Sequence, residues 1–189
     1  MKKPKLVLFD FGGTLIRSSE FWLEKGMEAL RLSAVNPEVT TTKAMCELWD
    51  YYYDRLTGRE GGPGSDDLEV QLSTVFRNMF ALTGLKYEID LWECEAVFDK
   101  HNSDREPTPN MAELLDALDR AGIRTAVISN TVISGRAMEQ AVNYQLPNSK
   151  MEFVLTSADY LFKKPHGDMF LAAAKISGVK PHDCWYCGD

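Results

Sequence analysis

An α/β fold built on a parallel sheet is predicted by three observations on this 189-residue chain. Leu6-Val7-Leu8-Phe9 is an unbroken apolar run that stops at Asp10 and a Gly12-Gly13 turn. Apolar runs without alternation mark strands buried on both faces, as parallel sheets require. From residue 110 onward, helical patterns alternate with short β-rich runs, the order of a sheet covered by helices on both faces. The strands also end on polar groups: Asp10, then Ser129-Asn130, then Gly188-Asp189. Ligands of such sheets sit just beyond the carboxyl ends of the strands.

The elements follow in order. Ser18 or Ser19 is the expected N-cap of a helix whose apolar face is Leu23, Met27, Leu30 and Ala34, ended by Asn36-Pro37. A second helix over 42–56 carries Met45, Leu48, Trp49, Tyr52 and Tyr53. The run Tyr51-Tyr52-Tyr53 covers more than one face, so at least one ring should meet solvent or a ligand while the others pack. Residues 58–65 are too rich in Gly and Pro for regular structure and read as a mobile loop. Helical patterns resume over 67–82 and 91–102. Two prolines, Pro107 and Pro109, then lead to a helix with an Asn110/Glu113 capping box, Leu114, Leu115 and Leu118 inward, and Gly122 just past its end. A strand over 123–128, a helix over 134–144, a strand over 153–155, a helix Asp168–Ser177 and a strand Cys184–Cys187 complete the pattern. The division is therefore an α/β core of residues 1–17 and 104–189, interrupted by an all-helical insertion over 18–103. Hinges are expected at Arg17-Ser18-Ser19 and at 105–109, on which the insertion would move as a body.

Composition narrows the function. With 21 Lys and Arg against 28 Asp and Glu the net charge is −7, and no basic stripe offers a nucleic-acid surface. A hydrophobic content of 44% supports a real core. The basic N-terminus is followed by only the apolar run Leu6–Phe9, too short for a signal peptide or a membrane span, so a cytoplasmic location is expected. Cys184 and Cys187 form C-x-x-C, but residues three apart on a strand point to opposite faces. With Cys46 and Cys94 they read as buried free thiols. His101, His166 and His182 lack ligand spacing and read as surface or helix-end residues.

The strand-end groups suit attack on a phosphorylated substrate. A carboxylate approaching a dianionic phosphoryl group needs cations to offset charge and donors to hold its oxygens. Ser129 and the amides after Asp10 would cradle the oxygens, and Lys163 or Lys164 would supply positive charge. Asp10 and Asp189 could share one hard cation, for which Mg2+ is suited.

Asp10 with Thr14, then Ser129, then Lys164-Pro165, then Gly188-Asp189 resemble, in this order, the motifs of the haloacid dehalogenase superfamily. The resemblance implies a Mg2+-dependent phosphatase acting on a small phosphorylated metabolite through an aspartyl-phosphate on Asp10, as a monomer or homodimer. It implies Asp10, Lys164 and Ser129 as catalytic residues, with Lys164 favoured over Lys163 by the Lys-Pro pattern. Thr14, Ser129, Asn130 and Lys164 would bind phosphate, Asp10, the Gly12 carbonyl and Asp189 would bind metal, and residues 18–103 would form a helical cap. The match departs in its first motif: the family's second aspartate, its general acid and base, is Gly12 here. Turnover by a slow enzyme is the primary expectation, with Glu20 a candidate replacement acid. A catalytically impaired phosphate-binding or regulatory protein and a phosphonate-cleaving hydrolase using a cap lysine, Lys25, Lys43 or Lys86, are the alternatives. A dehalogenase is disfavoured because that branch carries tyrosine where Gly12 stands. The fourth motif normally continues to a further acid, so ending at Asp189 suggests a truncated chain.

Overall fold

The computed structural model describes residues 3–54 and 67–188; the loop expected at 58–65 and Asp189 lie outside them. Four strands, β1 (Leu6–Phe9), β4 (Arg124–Ser129), β5 (Met151–Thr156) and β6 (Cys184–Cys187), form one sheet in the order β5-β4-β1-β6. All neighbours are parallel, with Phe9 opposite Val127 on one side and Cys187 on the other. The sheet is an α/β fold with helices on both faces. Alternation along β1 builds two cores: Val7 and Phe9 pack with Met111, Leu115, Met138 and Val142, whereas Leu6 and Leu8 pack with Met169 and Ala173. The first face is covered by α5 (Met111–Arg120) and α6 (Gly135–Gln145), the second by α8 (Asp168–Ser177). A one-turn helix, α7 (Ser157–Tyr160), follows β5 directly.

Between β1 and α5 the chain leaves the sheet as β2 (Ile16–Ser18) and returns as β3 (Arg105–Pro107), which pair antiparallel with Ser18 opposite Arg105. The two expected hinges are thus one hydrogen-bonded ribbon, extended by Ser19 N–H to the Asp104 carbonyl at 2.9 Å. The main elements described beyond it are helices: α1 (Leu23–Leu32), α2 (Thr42–Trp49), a π-helical turn Asp50–Asp54, α3 (Leu72–Thr83) and α4 (Leu91–His101). Met27, Met45, Trp49, Phe76 and Phe98 form their core, which continues into Ile133 and Ala137 at the start of α6. A further attachment stitches the insert to the sheet side: Leu68 bridges Phe162, and Leu72 N–H donates to the Val132 carbonyl.

Several local expectations change. The first helix starts at Leu23, not after Ser18 or Ser19, because those serines are drawn into or beside the ribbon; Ser19 Oγ instead accepts the Asp104 amide. The third begins at Leu72 rather than 67, because the bridge to Phe162 holds residue 68 extended. Asn110 makes no side-chain cap; it takes a left-handed backbone, φ 63°, and the capping box belongs to Asp90 and Glu93 on α4. Leu114 is 42% exposed while Leu115 is buried, since only one of two adjacent helix positions can face the sheet. The four cysteines are free, but only Cys94 is buried, and Cys187 is exposed. Tyr51 is exposed and Tyr53 stacks on Trp49.

Candidate active site

Asp10 is the first residue past β1, a strand with a partner on both sides, and its backbone N–H is anchored on the Cys187 carbonyl at 2.9 Å. The loop behind it closes tightly: Ile16 N–H donates to the Phe11 carbonyl at 3.0 Å, and Gly13 turns the chain at φ 74°. That geometry fixes the carboxylate, whose Oδ1 accepts the Phe11 amide at 2.7 Å. Oδ2 meets the Lys164 ammonium at 2.6 Å. Lys164 arrives on the loop between α7 and α8, and its side chain is only 10% exposed. Lys163 points elsewhere, 3.8 Å from Glu69.

A cavity of about 590 Å³ opens over this pair, lined among others by Gly12, Ser129, Thr131, Arg105 and Tyr186. Ser129, the last residue of β4, is buried at its wall. Asn130 also lines it, yet its amide is committed to Lys164: Nδ2 donates to the Lys164 carbonyl at 3.0 Å and Oδ1 accepts the Lys164 N–H at 2.6 Å. Asn130 thus holds the Lys164 backbone at the cavity wall. Thr14 is half-buried and does not line the cavity. Glu20 is exposed and does not line it either, so it is not placed to replace the acid missing at Gly12. Lys25 stands over the Trp22 ring, Lys43 pairs with Glu47, Lys86 is exposed, and none of the three lines the cavity. Asp189 lies outside the described residues.

Two groups escaped the sequence reading. Arg105 of β3 lines the cavity from the side of the insert, in a bidentate pair with the buried Asp99 of α4. Tyr186 of β6 brings its hydroxyl to Lys164 at 2.9 Å and to Asp10 Oδ2 at 3.3 Å. Burial pushes the phenol pKa up, with the Asp10 charge adding to the effect and the hydrogen bond from Lys164 opposing it, so the hydroxyl keeps its proton. A signal for Tyr186 was present. A strand rises about 3.3 Å per residue, so a long side chain two residues before the Gly188 turn can reach the strand end.

With this geometry in place, the family model for haloacid dehalogenase-like hydrolases matches residues 4–189. The chain belongs to the haloacid dehalogenase-like hydrolases. A Xenopus laevis relative, haloacid dehalogenase-like hydrolase domain-containing protein 3, is 32% identical over 81 residues, which is 43% of this chain and 32% of the relative. The match thus spans about a third of that protein. Among solved structures, a phosphoglycolate phosphatase candidate from Lactobacillus delbrueckii subsp. bulgaricus superposes with a TM-score of 0.52 at 19% identity, covering 100% of this chain and 79% of that one. A dehalogenase in an intermediate complex superposes with a TM-score of 0.51 at 17% identity, covering 98% of this chain and 76% of the other. At these identities the likeness concerns the fold, which this hydrolase shares with both. No helix among the described residues is long and apolar enough to cross a membrane.

Proposed function

We propose that this hydrolase cleaves phosphate esters of small metabolites through an aspartyl-phosphate on Asp10. The observation that carries the reading is the Lys164 ammonium 2.6 Å from the Asp10 carboxylate, in a cavity at the carboxyl edge of the sheet. An Asp10 oxygen bonds to phosphorus as the ester P–O bond breaks, and the alcohol leaves with a proton taken from water. Water then attacks the same phosphorus and the aspartyl O–P bond breaks, releasing phosphate and restoring the carboxylate, while the proton it sheds neutralises the hydroxide left by the first step. Lys164 offsets the repulsion between carboxylate and phosphoryl group, and the Ser129 hydroxyl offers a donor to its oxygens. Residues of the insert side, Ser18, Asp99 and Arg105, wall the cavity, which supports a role for residues 18–103 as a cap that limits substrate size and excludes water.

The family implies Mg2+, and the donors fit it. Asp10 and Gly12 both line the cavity, and a carboxylate with a carbonyl is the hard oxygen set this ion takes while keeping waters and phosphate oxygens. Among the described residues there is no cluster of three or more His, Cys, Asp or Glu able to enclose a metal alone. Asp10 and the Gly12 carbonyl would hold the ion, with Asp189 proposed beside them. When bound, it would neutralise phosphoryl charge.

Phosphate release from acyl, aryl and alkyl phosphates, with Mg2+ and with chelator, tests the proposal. Asp10→Asn should abolish turnover, and an acid quench of the parent should leave phosphate on the peptide containing Asp10. Parent-like turnover by Asp10→Asn would refute the mechanism. Gly12 keeps a second reading in view. Among the described residues, a Cβ there would meet nothing within 4 Å. Saturable binding of inorganic phosphate with no product from any ester would identify a phosphate-binding protein instead.

A further inference from the structure

We infer that Tyr186 is a positioning residue that completes the hydrogen-bonded seat of Lys164 and aligns it on Asp10. An ammonium group has three N–H donors, and here each has an acceptor: the Ile128 carbonyl at 3.1 Å, the Tyr186 hydroxyl at 2.9 Å and Asp10 Oδ2 at 2.6 Å. The Tyr186 hydroxyl then spends its own proton on the same Asp10 oxygen, at 3.3 Å. Lysine, phenol and carboxylate thus close a triangle whose corners restrain one another.

The scaffold around the ring shows that this reach is built into the fold. Tyr186 sits in register with Leu8 on β1, and its ring packs edge-on against Phe170 of α8, centroids 5.3 Å apart. Beyond it, Gly188 leaves the room the hydroxyl occupies: a Cβ on residue 188 would lie 2.3 Å from the Tyr186 oxygen. The phenol is held from below by packing and given space from above by the absence of a side chain. Its neutral oxygen adds no second negative charge beside Asp10.

The inference rests on Asp10 being the attacking group, and the experiment separates the two. Steady-state kinetics on an aryl phosphate would compare the parent with Tyr186→Phe, Tyr186→Leu and Asp10→Asn, each checked by thermal melting. Tyr186→Phe keeps the ring and removes only the hydroxyl. It should lower kcat by about 10- to 100-fold, the size of one hydrogen bond to a charged group, while KM stays within about twofold and the melt is unchanged. Its crystal structure should show the Lys164 ammonium displaced from Asp10 Oδ2. Equal and near-normal kcat in Tyr186→Phe with loss only in Tyr186→Leu would reduce Tyr186 to a packing residue and overturn the inference. Undiminished turnover by Asp10→Asn would instead overturn the nucleophile assignment.

Discussion

Restoring an acid at residue 12 is the sharpest perturbation this site offers. Gly12 is not among the glycines held at positive φ, and a Cβ built on it meets nothing within 4 Å. Gly12→Asp therefore starts from a backbone and a Cβ position that accommodate a side chain. Restricting the unfolded chain at a compatible glycine stabilises by about 0.4–1 kcal/mol, so the melting temperature should hold or rise slightly. The new carboxyl shares the cavity with Asp10 and with the single ammonium of Lys164. Two like charges in one site favour protonation of one of them, the form a general acid needs. General acid help is worth about 100- to 10,000-fold, and an acid without evolved support belongs near the lower figure, about 2.7 kcal/mol of barrier. The gain should depend on the leaving group. Alkyl phosphates such as glycerol phosphate, which leave poorly without a proton, should speed up by about 100-fold, whereas acetyl phosphate and nitrophenyl phosphate should change little. Plotting log kcat/KM against leaving-group pKa for both proteins is the assay: steep for the parent, flattened for the variant. Parallel lines, or a parent already brisk on alkyl esters, would show that the reasoning about residue 12 is wrong.

Two further outcomes follow from neighbouring contacts. Asn130→Ala removes two hydrogen bonds to the Lys164 backbone; at about 1 kcal/mol each, kcat should fall about tenfold or more, and an unchanged kcat would show that Lys164 needs no such support. Glu95 of α4 is buried and accepts both the backbone N–H, at 3.0 Å, and the hydroxyl of Ser134, the cap of α6. Burial raises its pKa above the ordinary 4.5, opposed by the hydrogen bonds from Ser134. A group whose folded pKa is raised contributes stability below its unfolded value, and that contribution is lost as pH rises through the folded one. Urea unfolding from pH 4 upward should therefore show the stability of the parent relative to Glu95→Gln declining with pH. A pH-independent difference would mean that Glu95 does not titrate in this range.

Asp10, Ser129 and Lys164 were legible because strand ends, glycine turns and Lys-Pro are local in sequence, and a parallel sheet brings strand ends together. Asn130 also lines the cavity, but its bonds to the Lys164 backbone were not legible, because an amide at a strand end can serve a ligand, the backbone or both. Tyr186 hid in an apolar strand, its hydroxyl meaningful only once β6 lay beside β1. Helix starts shifted where long-range pairing won over local capping, at the β2–β3 ribbon and at the Leu68–Phe162 bridge. The Asn110/Glu113 pattern failed because the backbone at 110 adopted a left-handed turn, φ 63°, that the residue types alone do not announce.

The pairing of Ser18 with Arg105 bears on how this architecture changes over evolutionary time. Residues that face each other across an antiparallel ribbon can be joined by a turn of two residues, so the sheet's connectivity is complete without anything that lies beyond them. Lengthening a closed loop costs only about 0.6 kcal/mol for each doubling, and the ribbon fixes the two ends whatever is strung between them. Replacement or growth of the intervening chain can keep the strand order, provided the new segment still covers Ile133 and Ala137. Descendants of such a chain can rewrite what reaches Asp10 wholesale, while the residues at the strand ends drift one at a time.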